Sequence, residues 1–87
     1  MNKGVVMLGE DHSLLSEFPQ YKDTIRALAK MDDSFLSEMK SYDSLDKEIR
    51  KLELMDSPLS DEEMHKMKHD RAVMKDVLHK RLVSAHQ

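Results

Sequence analysis

Residues 35–60 of this 87-residue chain, FLSEMKSYDSLDKEIRKLELMDSPLS, contain an apolar stripe followed by a helix break, and together these indicate the fold. The apolar residues of this stretch recur at spacings of three and four, which places them on one side of a helix. This first stripe consists of Phe35, Met39, Tyr42, Leu45, Ile49 and Leu52. Because Pro58 cannot continue a helix interior, the stripe predicts a long helix over residues 33–55, followed by a break between Asp56 and Ser60.

A second apolar stripe follows the break and consists of Met64, Met67, Met74, Leu78 and Leu82. Ser60 and Glu63 match a capping box, in which each side chain bonds the backbone N–H of the other residue. The pattern predicts a second long helix over residues 61–84. Two such helices joined by a short turn predict an all-α, antiparallel, coiled-coil-like hairpin.

A seven-residue series extends the first stripe towards the N-terminus; its members are Tyr21, Leu28, Phe35, Tyr42 and Ile49. Two signals interrupt this series. Pro19 suits the first position of a helix, and the run Asp32-Asp33-Ser34 is a cluster of helix-capping residues. We therefore predict a short helix over residues 19–31 before the hairpin, packed either on the hairpin or across a dimer, with Tyr21 and Leu28 clasping the bundle.

The length allows one domain, predicted over residues 11–87, with a single helical turn near residues 11–17. Residues 1–10 are expected to form a flexible tail, and either Met1 or Met7 can be the start. No stretch is long enough to span a bilayer, and the run Val5–Leu8 is too short for a signal peptide. The expected location is the cytoplasm, with no membrane partner.

The size of the hairpin predicts self-association. Hydrophobic residues make up 39% of the chain and charged residues 36%. A two-helix hairpin of this length buries little apolar surface, so we expect a homodimer or a higher oligomer in which both stripes also form the oligomer seam. The absence of cysteine excludes disulfides and thiolate metal sites.

The alignment of the two arms follows from the break. Folding the chain at Pro58 places Leu52 opposite Met64, Ile49 opposite Met67, and Tyr42 opposite Met74. Arg71 interrupts the second stripe opposite Leu45 and Asp46, and a polar residue at such a position commonly sets register. Our hypothesis is a register pair formed by Asp46 with Arg71 or with Lys75.

Several ordered blocks carry a recognisable pattern. They are EFPQYKDxIxxL at residues 17–28, YxxLDxEI at 42–49 and MKDxL at 74–78, with Phe35 and Met67-Lys68 between them. Together they resemble the YdcH family of small bacterial proteins over about residues 12–83. Met67, Ala72 and Met74 stand where that family often has Leu, and Val77 stands where an acid is common. The resemblance implies a helical hairpin in a family without an assigned biochemical function.

Two histidines are the candidates for a metal site. His65 and His69 are four residues apart, so they share one face of the predicted helix. Two ligands do not make a site, and the HExxH arrangement is absent because residue 66 is Lys. Solvated histidines are the favoured interpretation, a site completed in a dimer stays open, and no cofactor is expected.

The second helix is also locally basic, which suggests contacts with phosphates. Its basic residues are Lys66, Lys68, Arg71, Lys75, Lys80 and Arg81. Acidic residues interleave with them, and the helix has no Phe, Tyr or Trp to stack on a base. Pairing with Asp46, Glu48 and Glu53 of the first arm is favoured, and the net charge of −3 argues against a general nucleic-acid binder.

No nucleophile elbow, glycine-rich phosphate loop or cysteine is present, so we do not expect an enzyme. The methionines of the stripes are typical of a core and also of adaptable surfaces that bind partner helices. The sequence predicts a self-associating protein-interaction module that acts by helix–helix recognition on an unknown protein partner. The alternative is a small nucleic-acid-associated regulator that uses the basic second arm.

Overall fold

The computed structural model describes residues 10–55 and 59–86. Helix α1 spans Leu14–Glu17, and a 3-10 turn over Pro19–Tyr21 leads into α2, which spans Lys22–Met31. The two long helices are α3, Asp33–Leu54, and α4, Asp61–His86. The described residues contain no strand. The prediction of an all-α hairpin preceded by a short helix is confirmed.

The N-terminal helices end where the sequence disfavours helical backbone. Phe18 has φ −128° and ψ 61°, because a residue before proline is pushed out of the helical region. Pro19 then opens the 3-10 turn, so the predicted helix over residues 19–31 is divided into that turn and α2. The predicted flexible tail lies outside the described residues, apart from Glu10.

The N-termini of both long helices carry side-chain caps. Asp32 leaves the helical region, and its carboxylate accepts from the Ser34 and Phe35 N–H groups at 3.0 and 3.1 Å. Before α4, the Glu63 N–H donates to Ser60 Oγ at 3.1 Å, and the Ser60 N–H donates to Glu63 Oε1 at 3.2 Å. These bonds satisfy N–H groups that have no partner inside the helix. The predicted break lies partly outside the described residues, since it includes residues 56–58.

The two long helices run antiparallel. The contacts between them run in opposite directions along the two helices: Glu53 near the end of α3 meets Lys68, Asp46 meets Arg71, and Glu38 near the start of α3 meets Arg81. α4 continues to His86, two residues beyond the predicted end at residue 84. The contact of Asp46 with Arg71 follows the alignment derived from Pro58.

The core has a third layer that the hairpin argument omitted. Leu14 of α1 and Ile25 of α2 are buried in one cluster with side chains of both long helices, namely Phe35, Tyr42, Leu78 and Leu82. Tyr21 and Leu28 are partly buried against this cluster. α2 therefore packs on the hairpin of its own chain. Of the two placements left open for the short helix, packing on the hairpin is the one observed, and the core includes the N-terminal segment as well as the two long helices.

The predicted stripe residues divide by depth. Six of them are buried: Phe35, Tyr42, Ile49, Met64, Leu78 and Leu82. The others are partly exposed: Met39, Leu45, Leu52, Met67 and Met74. The inner positions follow the seven-residue spacing of Phe35, Tyr42 and Ile49, which is the spacing of a helix turned towards one partner.

Two adjacent leucines of α1 provide a matched test of the third layer. Leu14 is 0% exposed and Leu15 is 43% exposed. We expect Leu14→Ala to lower the free energy of unfolding by about 2–4 kcal/mol, because it leaves a cavity under the hairpin. Leu15→Ala should cost less than about 1 kcal/mol. Urea unfolding followed by circular dichroism measures both; equal effects would contradict the packing of α1 on the hairpin.

Candidate interaction site

A buried carboxylate joins both long helices to the N-terminal segment. Asp46 is 0% exposed, and Arg71 Nη1 lies 2.7 Å from its Oδ1. Arg50, one turn along α3, places Nε 3.0 Å from Oδ2, and the His12 N–H donates to the same oxygen at 3.2 Å. Removing a carboxylate from water is costly unless charges and donors surround it. Asp46 has such partners from α3, α4 and the chain before α1.

Arg71 and Lys75 are the two partners predicted for Asp46, and Arg71 is the one that contacts it. Lys75, the other candidate, instead donates to Glu17 Oε1 at 2.8 Å. Sequence reasoning missed Arg50, although its spacing of four residues from Asp46 is a signal for an ion pair on a helix. It also missed His12, for which no local signal exists.

A set of polar contacts holds the segment from His12 to Glu17, which we call the N-terminal clasp, against the hairpin. The Tyr42 hydroxyl donates to the His12 carbonyl at 2.6 Å, and the Leu14 N–H donates to Asp43 Oδ1 at 2.9 Å. His12 Nδ1 lies 2.7 Å from Glu17 Oε2. Burial raises the pKa of Tyr42 well above its usual value, so its hydroxyl keeps the proton that makes this bond.

The two carboxylates of this region respond to the clasp in opposite ways. Burial raises the pKa of Glu17, but hydrogen bonds from Lys75 and His12 outweigh it, so the pKa lies below its usual value. Burial raises the pKa of Asp43, and the bond from the Leu14 N–H only partly offsets it. Ionised Glu17 therefore stabilises the folded state, whereas ionisation of Asp43 opposes folding.

An aromatic cluster continues the attachment of the N-terminal segment to the end of α4. The rings of Phe18 and His79 are stacked with centroids 4.8 Å apart and an interplanar angle of 3°. The rings of Tyr21 and His86 are nearly perpendicular, at 83°, with centroids 5.2 Å apart. The seven-residue series placed Tyr21 in the bundle, but no spacing rule connects these residues with histidines on α4.

Arg81 connects α4 with the junction of α2 and α3. Its guanidinium lies 2.6 Å from Asp32 Oδ2 and 2.6 Å from Glu38 Oε1. The same group lies over the Phe35 ring, 5.5 Å from its centroid. Arg81 thus contacts both the residue that caps α3 and a buried aromatic ring of the core.

Each basic side chain of α4 named as a possible phosphate contact has an acidic partner within 4.0 Å. Lys68 pairs with Glu53 at 2.8 Å, while Lys66 and Lys80 pair with acids one turn away on α4. The remaining three cations are Arg71, Lys75 and Arg81, whose partners are given above. Three acids of α3 are predicted to pair with these cations. Asp46 and Glu53 do so, and Glu48 is exposed. The charge of α4 is largely balanced within the chain.

The two candidate metal ligands, His65 and His69, are exposed. Within the described residues, no group of three or more His, Cys, Asp or Glu side chains could hold a metal ion. Neither histidine is placed beside a third ligand in the single chain.

The flank of α4 away from the N-terminal clasp is open. Val73 and Val77 are 49% and 45% exposed, and they lie about 120–160° around the helix from Lys75 and His79, which contact the N-terminal segment. A groove runs here between α3 and α4, with Met74 and Leu78 at its base. We call this surface the open face; its rim residues are Ser37, Glu38, Ser41, Val73 and Val77. The sequence analysis did not identify it.

Taken together, the fold and the open face define a small helical hairpin with a covered side and an open side. The chain belongs to the family described as "Protein of unknown function (DUF465)", whose model matches residues 35–82. The match begins at the buried Phe35 and ends at the buried Leu82, so it covers the hairpin and leaves α1 and α2 outside. Searches of curated proteins and of solved structures found no match.

Within the part of the chain that the structure describes, no helix has both the length and the apolar character needed to cross a membrane.

The buried pair can be tested against an exposed acid of similar chemistry. Asp46→Asn leaves Arg71 and Arg50 without their countercharge, so we expect a loss of about 2–3 kcal/mol in the free energy of unfolding. Asp76→Asn, which removes an exposed pair with Lys80, should cost less than about 0.5 kcal/mol. Chemical denaturation measures both.

The register role needs a measurement of alignment. Because the chain has no cysteine, Lys47→Cys and His69→Cys allow spin labels at two exposed sites on α3 and α4. We expect Asp46→Asn or Arg71→Met to broaden the distance distribution between the labels, and a slip of one turn changes the alignment by about 5.4 Å. An unchanged distribution and unchanged stability in both variants would rule out a register role.

The clasp predicts an acid-sensitive contribution to stability. Since the pKa of Glu17 is lowered on folding, its contribution to stability is complete above the ordinary glutamate pKa of 4.5 and is lost as the pH falls through the lower pKa of the folded state. The stability difference between the parent protein and Glu17→Gln should therefore shrink on acidification. For Asp43→Asn the stability difference from the parent protein should change in the opposite direction on acidification, because the pKa of Asp43 is raised on folding. Denaturation at a series of pH values measures both; parallel behaviour would contradict the assignment.

Proposed function

We propose that this protein is a non-catalytic, self-associating interaction module that recognises a helix on its open face. One observation carries the proposal: Val73 and Val77 remain about half exposed beside a groove, although they lie on a helix whose other side is in the core. Apolar side chains at helical spacing on an exposed flank are typical of a helix-binding surface. Ser37 and Ser41 on the opposite rim are small, which allows a second backbone to approach closely.

The Met and Leu stripes have a different role in this proposal from the one that the sequence suggested. The side chains of Phe35, Tyr42, Leu78 and Leu82 are covered by α1 and α2 of the same chain. They serve as the internal seam that holds the two arms together. Recognition is assigned to the outer flank of α4 and the facing side of α3, which no element of the described chain covers.

The non-catalytic part of the proposal rests on how the buried polar groups are used. Asp46 is surrounded by donors from three parts of the chain. The Tyr42 hydroxyl, whose pKa burial raises, donates to a backbone carbonyl. The polar atoms of these groups are therefore occupied by structural partners. General acid–base chemistry requires instead a group that can reach the substrate and that has a pKa suited to proton transfer.

The nucleic-acid alternative has less support than helix recognition. Binding to phosphates releases counterions when cations are free to neutralise them, but each basic side chain of α4 already contacts a carboxylate. Capture of partners from cells, with and without nuclease, separates the two functions. Loss of the captured partners after nuclease treatment would favour the regulator.

Two finer expectations belong to the same proposal. We propose that the hairpin is of the YdcH type that the ordered sequence blocks resemble, and that the protein works in the cytoplasm. Cell fractionation tests the location independently of any binding partner.

Two valines on α4 provide a matched test of the open face. Val77→Glu places a charge at its centre, whereas Val83→Glu makes the same change at a 37% exposed valine about 120° away around the helix. We expect Val77→Glu to weaken self-association by at least about tenfold, or roughly 1.4 kcal/mol, because a carboxylate must be desolvated in the interface. Val83→Glu should associate like the parent protein.

Sedimentation equilibrium over a concentration series measures this association, and circular dichroism checks that both variants are folded. A parent protein that stays monomeric at roughly 0.5 mM would contradict self-association. Equal weakening by both variants would show that association does not use the open face.

A further inference from the structure

The open face continues along α4 as a line of regularly spaced residues that are exposed, apart from the partly buried Asp70. The line consists of Lys66, Asp70, Val73, Val77, Lys80 and Ser84, at alternating intervals of four and three. At 100° per residue all of them lie within about 80° of one another, which is the geometry of a coiled-coil seam. α4 therefore has two seams: an inner one used by the hairpin, and this outer seam, which no described element covers.

The charges of the outer seam are complementary to those of a second, identical seam that runs in the opposite direction. The midpoint between Val73 and Val77 is the position of Lys75, and reversal about that point exchanges the two valines. The same reversal places Asp70 opposite Lys80, and Lys80 opposite Asp70. A twofold axis through this midpoint would pair Val73 with Val77 twice and an acid with a base twice, as an isologous interface requires.

We propose that the occupant of the open face is a second copy of this chain, with its α4 antiparallel to the first. The inference rests on the proposed function, and it adds the partner and the register. In a parallel pair Asp70 would face Asp70 and Lys80 would face Lys80, so like charges would oppose that arrangement. The charges select the antiparallel pair, and the valines provide its apolar centre.

The single chain can release these charges at little cost. Lys66 Nζ lies 3.2 Å from Asp70 Oδ2, and Lys80 Nζ lies 3.5 Å from Asp76 Oδ2. Both are exposed pairs within one helix, and such pairs contribute little. Asp70 and Lys80 can therefore turn to a partner copy. With two valines from each copy at the centre, the apolar contact is small, and we expect a dissociation constant on the order of micromolar.

Charge reversal with mixing tests the register. Asp70→Lys gives a seam with Lys at both 70 and 80, and Lys80→Asp gives a seam with Asp at both. Each variant alone places like charges opposite each other twice, so we expect its dimer to be about tenfold weaker or more than that of the parent protein. An equimolar mixture restores two opposite-charge pairs, and we expect a heterodimer at least as stable as the parent dimer at low ionic strength.

The control variants make the same charge changes on α2, away from the seam. Asp23→Lys and Lys30→Asp should dimerise like the parent protein, alone and when mixed. Circular dichroism checks the fold of every variant. Asp70→Asn with Lys80→Gln provides a milder pair, which should show a smaller weakening and only partial recovery on mixing, because the mixed dimer regains one of the two opposite-charge pairs.

Analytical ultracentrifugation of one variant carrying a fluorophore distinguishes the outcomes. Weak homodimers that recover on mixing support the antiparallel register. If both variants dimerise like the parent protein while Val77→Glu does not, this register is wrong and the open face remains the binding surface. A parent protein that is monomeric throughout the series overturns the register and the self-association together.

Discussion

Both long helices and the N-terminal segment meet at the buried carboxylate of Asp46. It receives Arg71 from α4, Arg50 from its own helix and the backbone N–H of His12 from the N-terminal segment. A slip of one turn between the long helices would leave a buried charge without its partner, which costs more than the loss of an ordinary contact. The contact with Asp46 also places Arg71 on the inner side of α4. Once Arg71 points inward, Val73 and Val77 lie 200–240° further around the helix, which places them on the outer flank.

The features that the sequence predicted correctly are those determined by residues close together in the chain. The capping box joins Ser60 and Glu63, and the carboxylate of Asp32 bonds two N–H groups in the first turn of α3. The stripes predict the hairpin, because a helix with one apolar side must cover it. The contact of Asp46 with Arg71 was one of two alternatives. Spacing alone did not decide between Arg71 and Lys75, since both lie on the inner half of α4, and the choice depends on Glu17 being present to receive Lys75.

The features that could not be predicted from the sequence depend on contacts between the hairpin and the third layer, which α1 and α2 form. Nothing near Leu14 indicates that its N–H will bond Asp43 or that its side chain will lie under Phe35 and Tyr42. The stacking of Phe18 on His79 joins residues at opposite ends of the chain in the same way. The open face was missed for a related reason. α4 carries apolar residues on two flanks, and a periodicity analysis that follows the larger side chains, Met and Leu, passes over the valines between them.

The third layer also limits which surface of the hairpin is available for recognition. α1, the 3-10 turn and α2 occupy one flank of α4, where Lys75 and His79 make their contacts, and they cover the seam of Phe35, Tyr42 and Leu82. Without the N-terminal segment, the apolar side chains of that seam would be exposed to water. With the N-terminal segment in place, the apolar surface that remains on α4 is smaller and is bordered by charges of both signs. A smaller apolar surface provides less affinity for a partner helix, but the order of charges along it can specify the direction of that helix. The N-terminal segment therefore packs on one side of the hairpin and determines which side of α4 stays open.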